Sequence, residues 1–127
     1  MPFRFRVAGS VVEQESGSPL AGLLVRAHDR DVLYDDDLGE VETDAEGRFE
    51  IVYTEAQFQD VIETRPDLYL RIYDAAGRLV HTTERAVRRD AHIDERYEIA
   101  IPRARLSQAG AADPSARART PIPKDRV

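Results

Sequence analysis

Apolar and polar residues alternate in several short segments of the chain, as they do in strands that bury one face. In the first of these segments, Phe3, Phe5 and Val7 alternate with Arg4 and Arg6. Six further segments show the same alternation or a compact apolar run. The sequence therefore predicts seven strands, at residues 3–12, 23–29, 39–44, 48–53, 67–74, 78–83 and 95–102.

Two turn sequences of nearly the same composition connect predicted strands. The segment "DAEG" runs from Asp44 to Gly47, and "DAAG" runs from Asp74 to Gly77. Glycine adopts a positive φ at little cost, as many tight turns require. We therefore expect two tight turns, the second of which closes a hairpin.

The apolar spacing changes once, in the segment "TEAQFQDVIETRP". Phe58, Val61 and Ile62 are spaced like residues on one face of a helix. Thr54 is suited to cap the start of such a helix, and Pro66 ends it. Seven short strands and one short helix predict an all-β fold, an antiparallel β-sandwich.

Composition divides the chain of 127 residues into two parts. Residues 1–106 hold the predicted strands and are long enough to build one hydrophobic core. Residues 107–127 are rich in Ala, Ser, Pro and Arg, which predicts a flexible basic tail that becomes ordered on a partner. No run of about 18 apolar residues exists, so we expect no membrane-spanning segment.

The charge is distributed unevenly between these two parts. The net charge is −6, while the tail has four basic and two acidic residues and the first 106 residues carry −8. An acidic domain repels phosphates, so nucleic acid is not an expected partner. The N-terminal segment alternates instead of forming the apolar block of a secretory signal, which predicts a cytoplasmic protein. The absence of cysteine excludes disulfides and thiolate metal sites.

The most acidic segment follows the second predicted strand. We call residues 29–37, "DRDVLYDDD", the acidic stretch. Calcium binds six to eight oxygen ligands, mainly carboxylates and carbonyls. The stretch resembles the Asp-x-Asp loops of calcium-dependent phospholipid-binding β-sandwich modules, and it predicts a calcium site with candidate ligands Asp29, Asp31, Asp35, Asp36 and Asp37. The alternative is a solvated loop whose carboxylates pair with arginines, the candidates being Arg30, Arg65 and Arg88.

The order of the strands predicts which other carboxylates come near the acidic stretch. In an up-and-down arrangement, successive connections alternate between the two ends of the sandwich. This alternation puts Asp67, Asp90 and Asp94 at the same end as the acidic stretch. It puts Asp44 and Asp74 at the opposite end.

The fifth predicted strand has two distinct faces, because successive side chains of a strand point to opposite sides. Its apolar face carries Leu68, Leu70 and Ile72 and is predicted to point inward. The outward face then carries Tyr69, Arg71 and Tyr73. Tyrosine and arginine are favoured in contacts between proteins, so this face is a candidate interface. The alternative is ordinary decoration of an edge strand.

No catalytic or zinc-binding constellation is evident in the sequence. His28, His81 and His92 have no partner histidine at i+2 or i+4, and a zinc site would need three dispersed ligands to converge. No nucleophile with its base, no glycine-rich phosphate loop and no paired carboxylates stand out. The sequence therefore predicts a protein that is not an enzyme and has no cofactor other than the candidate calcium.

The order of these elements resembles the transthyretin-like family, including bacterial carboxypeptidase-regulatory-like domains. The segments that carry the resemblance are "RVAGSVVEQESGSPLAGLLVRAHD", "TDAEGRFEI", "EAQFQDVIE" and "LYLRIYDAAGRLVHTT", within residues 3–102. The resemblance implies a sandwich of seven or eight strands and functions that include carriers, binding modules, adhesin-type stalks and one enzyme branch. That branch, the hydroxyisourate hydrolases, has a histidine in its first strand and a Tyr-Arg-Gly-Ser carboxyl terminus, whereas this chain has "RFRVAGSVV" and "PIPKDRV" there.

Three functions follow from these observations. The first is a non-catalytic module that binds a protein partner, a second copy of itself or a ligand, through its acidic end or through Tyr69, Arg71 and Tyr73. The second is a structural or accessory subunit whose tail lies along a neighbouring subunit of a larger assembly. The third is a transthyretin-related hydrolase, which would need histidine and arginine side chains to converge at a subunit interface.

Overall fold

The computed structural model describes residues 4–31, 35–54 and 65–110, and these residues form a sandwich of two β-sheets. The strands are β1 (Arg4–Glu13), β2 (Leu24–Asp29), β3 (Asp36–Glu42), β4 (Arg48–Thr54), β5 (Leu68–Tyr73), β6 (Leu79–Thr82) and β7 (Asp94–Ile101). A 3₁₀ turn at Glu84–Ala86 precedes β7, and helix α1 (Arg103–Gly110) follows it. The prediction of an all-β sandwich is confirmed.

The two sheets have the strand orders β4-β1-β7 and β3-β2-β5-β6. Alternate side chains of each strand point into the space between the sheets and form one core. Phe5, Val25, Ile51, Leu70 and Ile99 illustrate how five different strands contribute to it. Each sheet therefore keeps one outer face that points away from the core.

The pairing of β1 with β7 is parallel, with Arg6 opposite Asp94. The prediction of an entirely antiparallel sandwich is therefore wrong. Alternation shows which side chains of a strand are buried, but it carries no information about the direction of the neighbouring strand. That direction depends on the path of the chain between β1 and β7.

Both predicted tight turns are present and have the same local structure. In each, the first aspartate, Asp44 or Asp74, accepts hydrogen bonds from the main-chain N–H groups two and four residues later, all at 2.9 Å. Gly47 and Gly77 have φ values of 74° and 86°, as predicted. Gly47 is more tightly enclosed, because a Cβ there would lie 2.6 Å from the carbonyl oxygen of Val11.

The predicted helix after Thr54 falls on residues 55–64, outside the described residues. A different helix, α1, begins directly after Pro102 and crosses the predicted boundary at residue 106. Leu106 packs against the core, and Arg103 forms an ion pair with Glu13 at 2.9 Å. Among the described residues, no helix has the length and apolar character needed to cross a membrane.

Candidate functional site

The outer face of the four-stranded sheet is covered, although its central residues are polar or aromatic. Tyr69, Arg71 and Tyr73 do point away from the core, as predicted, but only 1%, 7% and 4% of their surfaces are exposed. The alternative, in which they decorate an edge strand, is wrong, because β5 lies between β2 and β6. We call this the sealed face, made of these three residues with Arg26 and His28 of β2.

Aromatic rings and guanidinium groups pack against each other on the sealed face. His28 lies opposite Tyr69 in the neighbouring strand, and the two rings stack with centroids 5.1 Å apart. The guanidinium carbons of Arg30 and Arg71 lie 5.1 Å and 5.5 Å from the centroid of the Tyr69 ring. Such cation–π contacts strengthen when water is excluded. This packing contributes to the burial of the outward residues.

Two arginines face each other across the sealed face, and each is neutralised by a carboxylate. Arg26 and Arg71 are direct neighbours in the β2–β5 register. Arg26 binds Glu40 and Arg71 binds Glu84, each at 2.7 Å. The hydrogen bond from Arg71 lowers the pKa of the Glu84 carboxyl below its usual range. The layer is therefore held together by paired charges as well as rings.

The acidic stretch is attached to the sealed face through Asp35. The hydroxyl of Tyr69 donates a hydrogen bond of 2.5 Å to Asp35 Oδ2, and Asp31 N–H donates one of 3.1 Å to Asp35 Oδ1. Burial, followed by the bond to Asp35, raises the pKa of Tyr69. Arg30 also approaches Asp35, at 3.6 Å. One of the three candidate arginines, Arg30, therefore pairs with a carboxylate of the acidic stretch, as the alternative predicts.

The other candidate calcium ligands do not share one location. Asp29 ends β2 with its side chain toward the core and 1% exposed, whereas Asp35 lies on the opposite side of that sheet. Asp36 and Asp37 belong to β3 instead of a loop, opposite Asp29 and His28 respectively. Among the residues that the structure describes, no group of three acidic or histidine side chains could hold a metal. Residues 32–34 lie outside the described part, and the calcium site stays a prediction.

The predicted neighbours of the acidic stretch are partly brought together. Asp29 Oδ1 accepts a hydrogen bond of 2.8 Å from the N–H of Asp67, and Asp67 Oδ1 accepts one of 3.0 Å from the N–H of Asp90. These residues therefore meet at one end of the sandwich, as predicted. Asp94 instead forms an ion pair with Arg6 at 3.0 Å. Hydrogen bonds therefore link Asp90 through Asp67 to Asp29, and Asp94 begins β7.

A buried polar group at this end of the core was missed by the sequence analysis. Tyr53, Glu95 and Tyr97 occupy core-facing positions of β4 and β7, near Asp29. Arg88 contacts Glu95 Oε1 at 2.8 Å and lies 3.7 Å from the centroid of the Tyr97 ring. Burial, then the charges of Glu95 and Asp29, raise the pKa of Tyr53. Glutamate and tyrosine at inward positions of β7 are the sequence signal that could have revealed this group.

The three histidines are separated. His28 is stacked on Tyr69, and His92 is exposed. His81 pairs with Ile72 in the β5–β6 ladder, and its pKa is lowered by burial and then by the charge of Arg105. No described residues complete a metal site around any of them.

The outer face of the three-stranded sheet is open to solvent and contains a groove of about 720 Å³. The small residues Ala8 and Ser10 of β1 line it together with Arg48 of β4 and Arg96 of β7, and it extends past the β4 edge to Val41 and Glu42 of β3. We call this outer surface of β4, β1 and β7 the open face. Its small central residues and long flanking side chains produce the depression.

The charges of the open face are only partly paired. Arg6 contacts both Glu50, at 2.5 Å, and Asp94, at 3.0 Å. Within the described residues, the guanidinium groups of Arg48 and Arg96 make no ion pair. In this respect they differ from Arg26 and Arg71 of the sealed face, each of which is paired with a glutamate.

Comparison with known proteins gives similarity in structure only. No protein-family model matches the chain, and no curated protein matches it. A 9R-lipoxygenase from Cyanothece is 26% identical over 76% of this chain, with a TM-score of 0.51. A 3-chlorocatechol 1,2-dioxygenase from Rhodococcus opacus and a hydroxyquinol 1,2-dioxygenase from Pseudomonas putida are 14% and 13% identical over 80% of this chain, with TM-scores of 0.45 and 0.47. The chain spans 16%, 61% and 57% of those three chains respectively.

These neighbours correct one prediction. The prediction that the chain is not an enzyme is wrong, since the structures similar to it include those of two dioxygenases. At 14% and 13% identity the likeness concerns the fold alone. It assigns no reaction to this chain.

Proposed function

We propose that this chain is a binding module on a transthyretin-like sandwich, and that its open face holds the binding surface. The observation that carries the proposal is the groove of about 720 Å³ over Ala8 and Ser10, which Arg48 and Arg96 also line; among the described residues, no carboxylate pairs with either guanidinium group. Binding sites are typically concave and carry a few well-placed polar groups. The sealed face lacks this property, because its arginines and tyrosines already contact each other. The transthyretin-like identity is supported by the two-sheet architecture and by the tight turn that "TDAEGRFEI" forms.

Selection from a random peptide library tests this function. We expect the wild-type protein to enrich peptides, and Ser10→Trp to abolish the enrichment because the indole fills the groove. The matched control is Ala100→Trp, at an exposed position of β7 on the same sheet. Equal enrichment by both variants, or none by the wild type, would count against the groove as the binding surface.

A second candidate is an accessory domain that accompanies a larger protein. It is favoured by the lipoxygenase, since the chain matches only 16% of that protein at 26% identity. In this role the C-terminal residues beyond α1 would contact the larger protein. Co-purification from the native host with the full chain, lost when residues 111–127 are removed, is the expected result. Unchanged co-purification after that deletion would contradict it.

A further inference from the structure

The edge of the three-stranded sheet at β4 has main-chain groups that face away from the fold. Val11 N–H donates to the carbonyl oxygen of Gly47 at 2.8 Å, so the odd-numbered residues of β4 face β1. The N–H and C=O groups of Glu50 and Val52 consequently point outward. In residues 4–31, 35–54 and 65–110, these outward groups have no hydrogen-bond partner.

At the opposite edge of the same sheet, a side chain covers one of the outward main-chain groups of β7. Arg6 N–H donates to the carbonyl oxygen of Ile93, so the odd-numbered residues of this segment face β1 and Arg96 faces outward. Arg88 Nη1 donates a hydrogen bond of 2.8 Å to the carbonyl oxygen of Arg96. Natural proteins commonly cover or charge their sheet edges. At β4, the main chain of Arg48 is occupied by the Asp44 turn, but that of Glu50 and Val52 is not.

The neighbouring sheet leaves the β4 edge accessible from outside. A Cβ on Gly39 would lie 2.9 Å from Ile51 Cγ2, so β3 packs closely against the core-facing side of β4. On the other side, the groove runs past Arg48 and Glu50. Because the groove also reaches Val41 and Glu42 of β3, a strand added to the β4 edge would lie within this part of the groove.

The exposed side chains of β4 define what such a strand should contain. Arg48, Glu50 and Val52 share the outer side of β4, and Val52 is 49% exposed. Opposite charges on directly facing residues of adjacent strands attract, and like charges repel. An antiparallel partner strand therefore complements β4 when, read from its N-terminus, it carries an apolar, a basic and an acidic residue. One other residue separates each of these from the next.

We propose that the free edge of β4 binds an extended segment of a partner protein as an additional antiparallel strand. The segment has the pattern apolar-x-basic-x-acidic, with these residues opposite Val52, Glu50 and Arg48. Its main chain bonds to the outward N–H and C=O groups of Glu50 and Val52, as in other complexes that extend a sheet. This inference rests on the proposed binding function and specifies the partner's chemistry.

The test uses two blocked synthetic peptides and isothermal titration calorimetry. The complementary peptide is Thr-Val-Thr-Lys-Thr-Glu-Thr, and the control, Thr-Val-Thr-Glu-Thr-Lys-Thr, exchanges the two charges. Wild-type protein is expected to bind the complementary peptide about tenfold more tightly, since two attractive pairs become repulsive in the control. Arg48→Glu combined with Glu50→Arg should reverse this preference. Equal binding of both peptides, or no binding of either, would overturn the proposal.

Val52→Pro provides an independent variant, because it removes an outward N–H to which no described residue is hydrogen-bonded. It should abolish peptide binding, while Glu98→Arg on β7 should leave binding unchanged. If the library selects peptides without the pattern, and Val52→Pro retains them, the binding function stands and the β4 proposal fails.

Two other occupants of the edge would also overturn the proposal. A dimer in sedimentation that Val52→Pro dissociates would show that a second copy occupies the edge. Tighter peptide binding after deletion of residues 111–127 would show that the chain's own C-terminal residues compete for it. Neither effect is expected.

Discussion

Arg71 on the sealed face and Arg6 on the open face each bind a glutamate, but their surroundings differ. Arg71 is 7% exposed, lies against the Tyr69 ring and holds Glu84 at 2.7 Å. The side chain of Arg6 is 39% exposed and contacts Glu50 and Asp94 in water. Removing a partner from a buried pair leaves an uncompensated charge, whereas an exposed pair contributes little. We infer that the Arg71–Glu84 pair of the sealed face contributes more to stability than the Arg6–Glu50 pair of the open face.

Removal of the Tyr69 ring should produce the largest effect. Tyr69→Ala deletes a buried aromatic side chain that contacts His28, Arg30 and Arg71, and should lower the free energy of unfolding by about 3–5 kcal/mol. Denaturant unfolding measures this change. Tyr69→Phe retains the ring and should lose about 1 kcal/mol with the hydrogen bond to Asp35. The matched change on the open face, Val52→Ala, should remain within about 0.5 kcal/mol. A loss from Tyr69→Ala as small as that from Val52→Ala would remove the distinction between the faces.

Double-mutant cycles compare the two ion pairs directly. Alanine substitutions of Arg71 and Glu84 should give a coupling energy of about 1–2 kcal/mol, because the pair is hydrogen-bonded and mostly removed from water. The cycle for Arg6 and Glu50 should give a coupling near the limit of detection, since both side chains are well exposed. Equal coupling in the two cycles would show that burial does not distinguish them.

The pH dependence of stability should reveal the Arg71–Glu84 pair. The folded protein holds the pKa of Glu84 below its ordinary value of 4.5, chiefly through the hydrogen bond from Arg71. The stabilisation is therefore fully present above the unfolded pKa and is lost as the pH falls through the lower, folded pKa. Glu84→Gln should be less stable than the wild type at neutral pH and should lose less stability on acidification. Parallel curves of unfolding free energy against pH for the two proteins would contradict this assignment.

The alternation of side chains predicted the strands of both sheets to within a few residues, and it placed Tyr69 and Arg71 on the correct face. It did not predict their burial. That burial depends on His28 and Arg26, which become neighbours only through the β2–β5 register. The alternation also could not predict the parallel direction of β7 or the groove over Ala8, because both arise from contacts between distant segments. Local patterns define faces, whereas the partners across a sheet determine whether a face is covered.

Calcium should have the smallest effect on stability, since Asp29 and Asp35 of the acidic stretch already accept hydrogen bonds within the fold. Asp29 accepts a hydrogen bond from Asp67 on the core side, whereas Asp35 accepts one from Tyr69 on the sealed face. Calcium needs oxygen ligands that converge on one point, so we expect millimolar calcium to leave the melting temperature unchanged. A ligand that binds only the folded state would raise it by mass action. A rise that Asp29→Asn combined with Asp31→Asn abolishes, and that magnesium does not reproduce, would establish the calcium site. The acidic stretch, which is attached to the sealed face through Asp35, would then bind a ligand. The assignment of binding to the open face alone would be wrong.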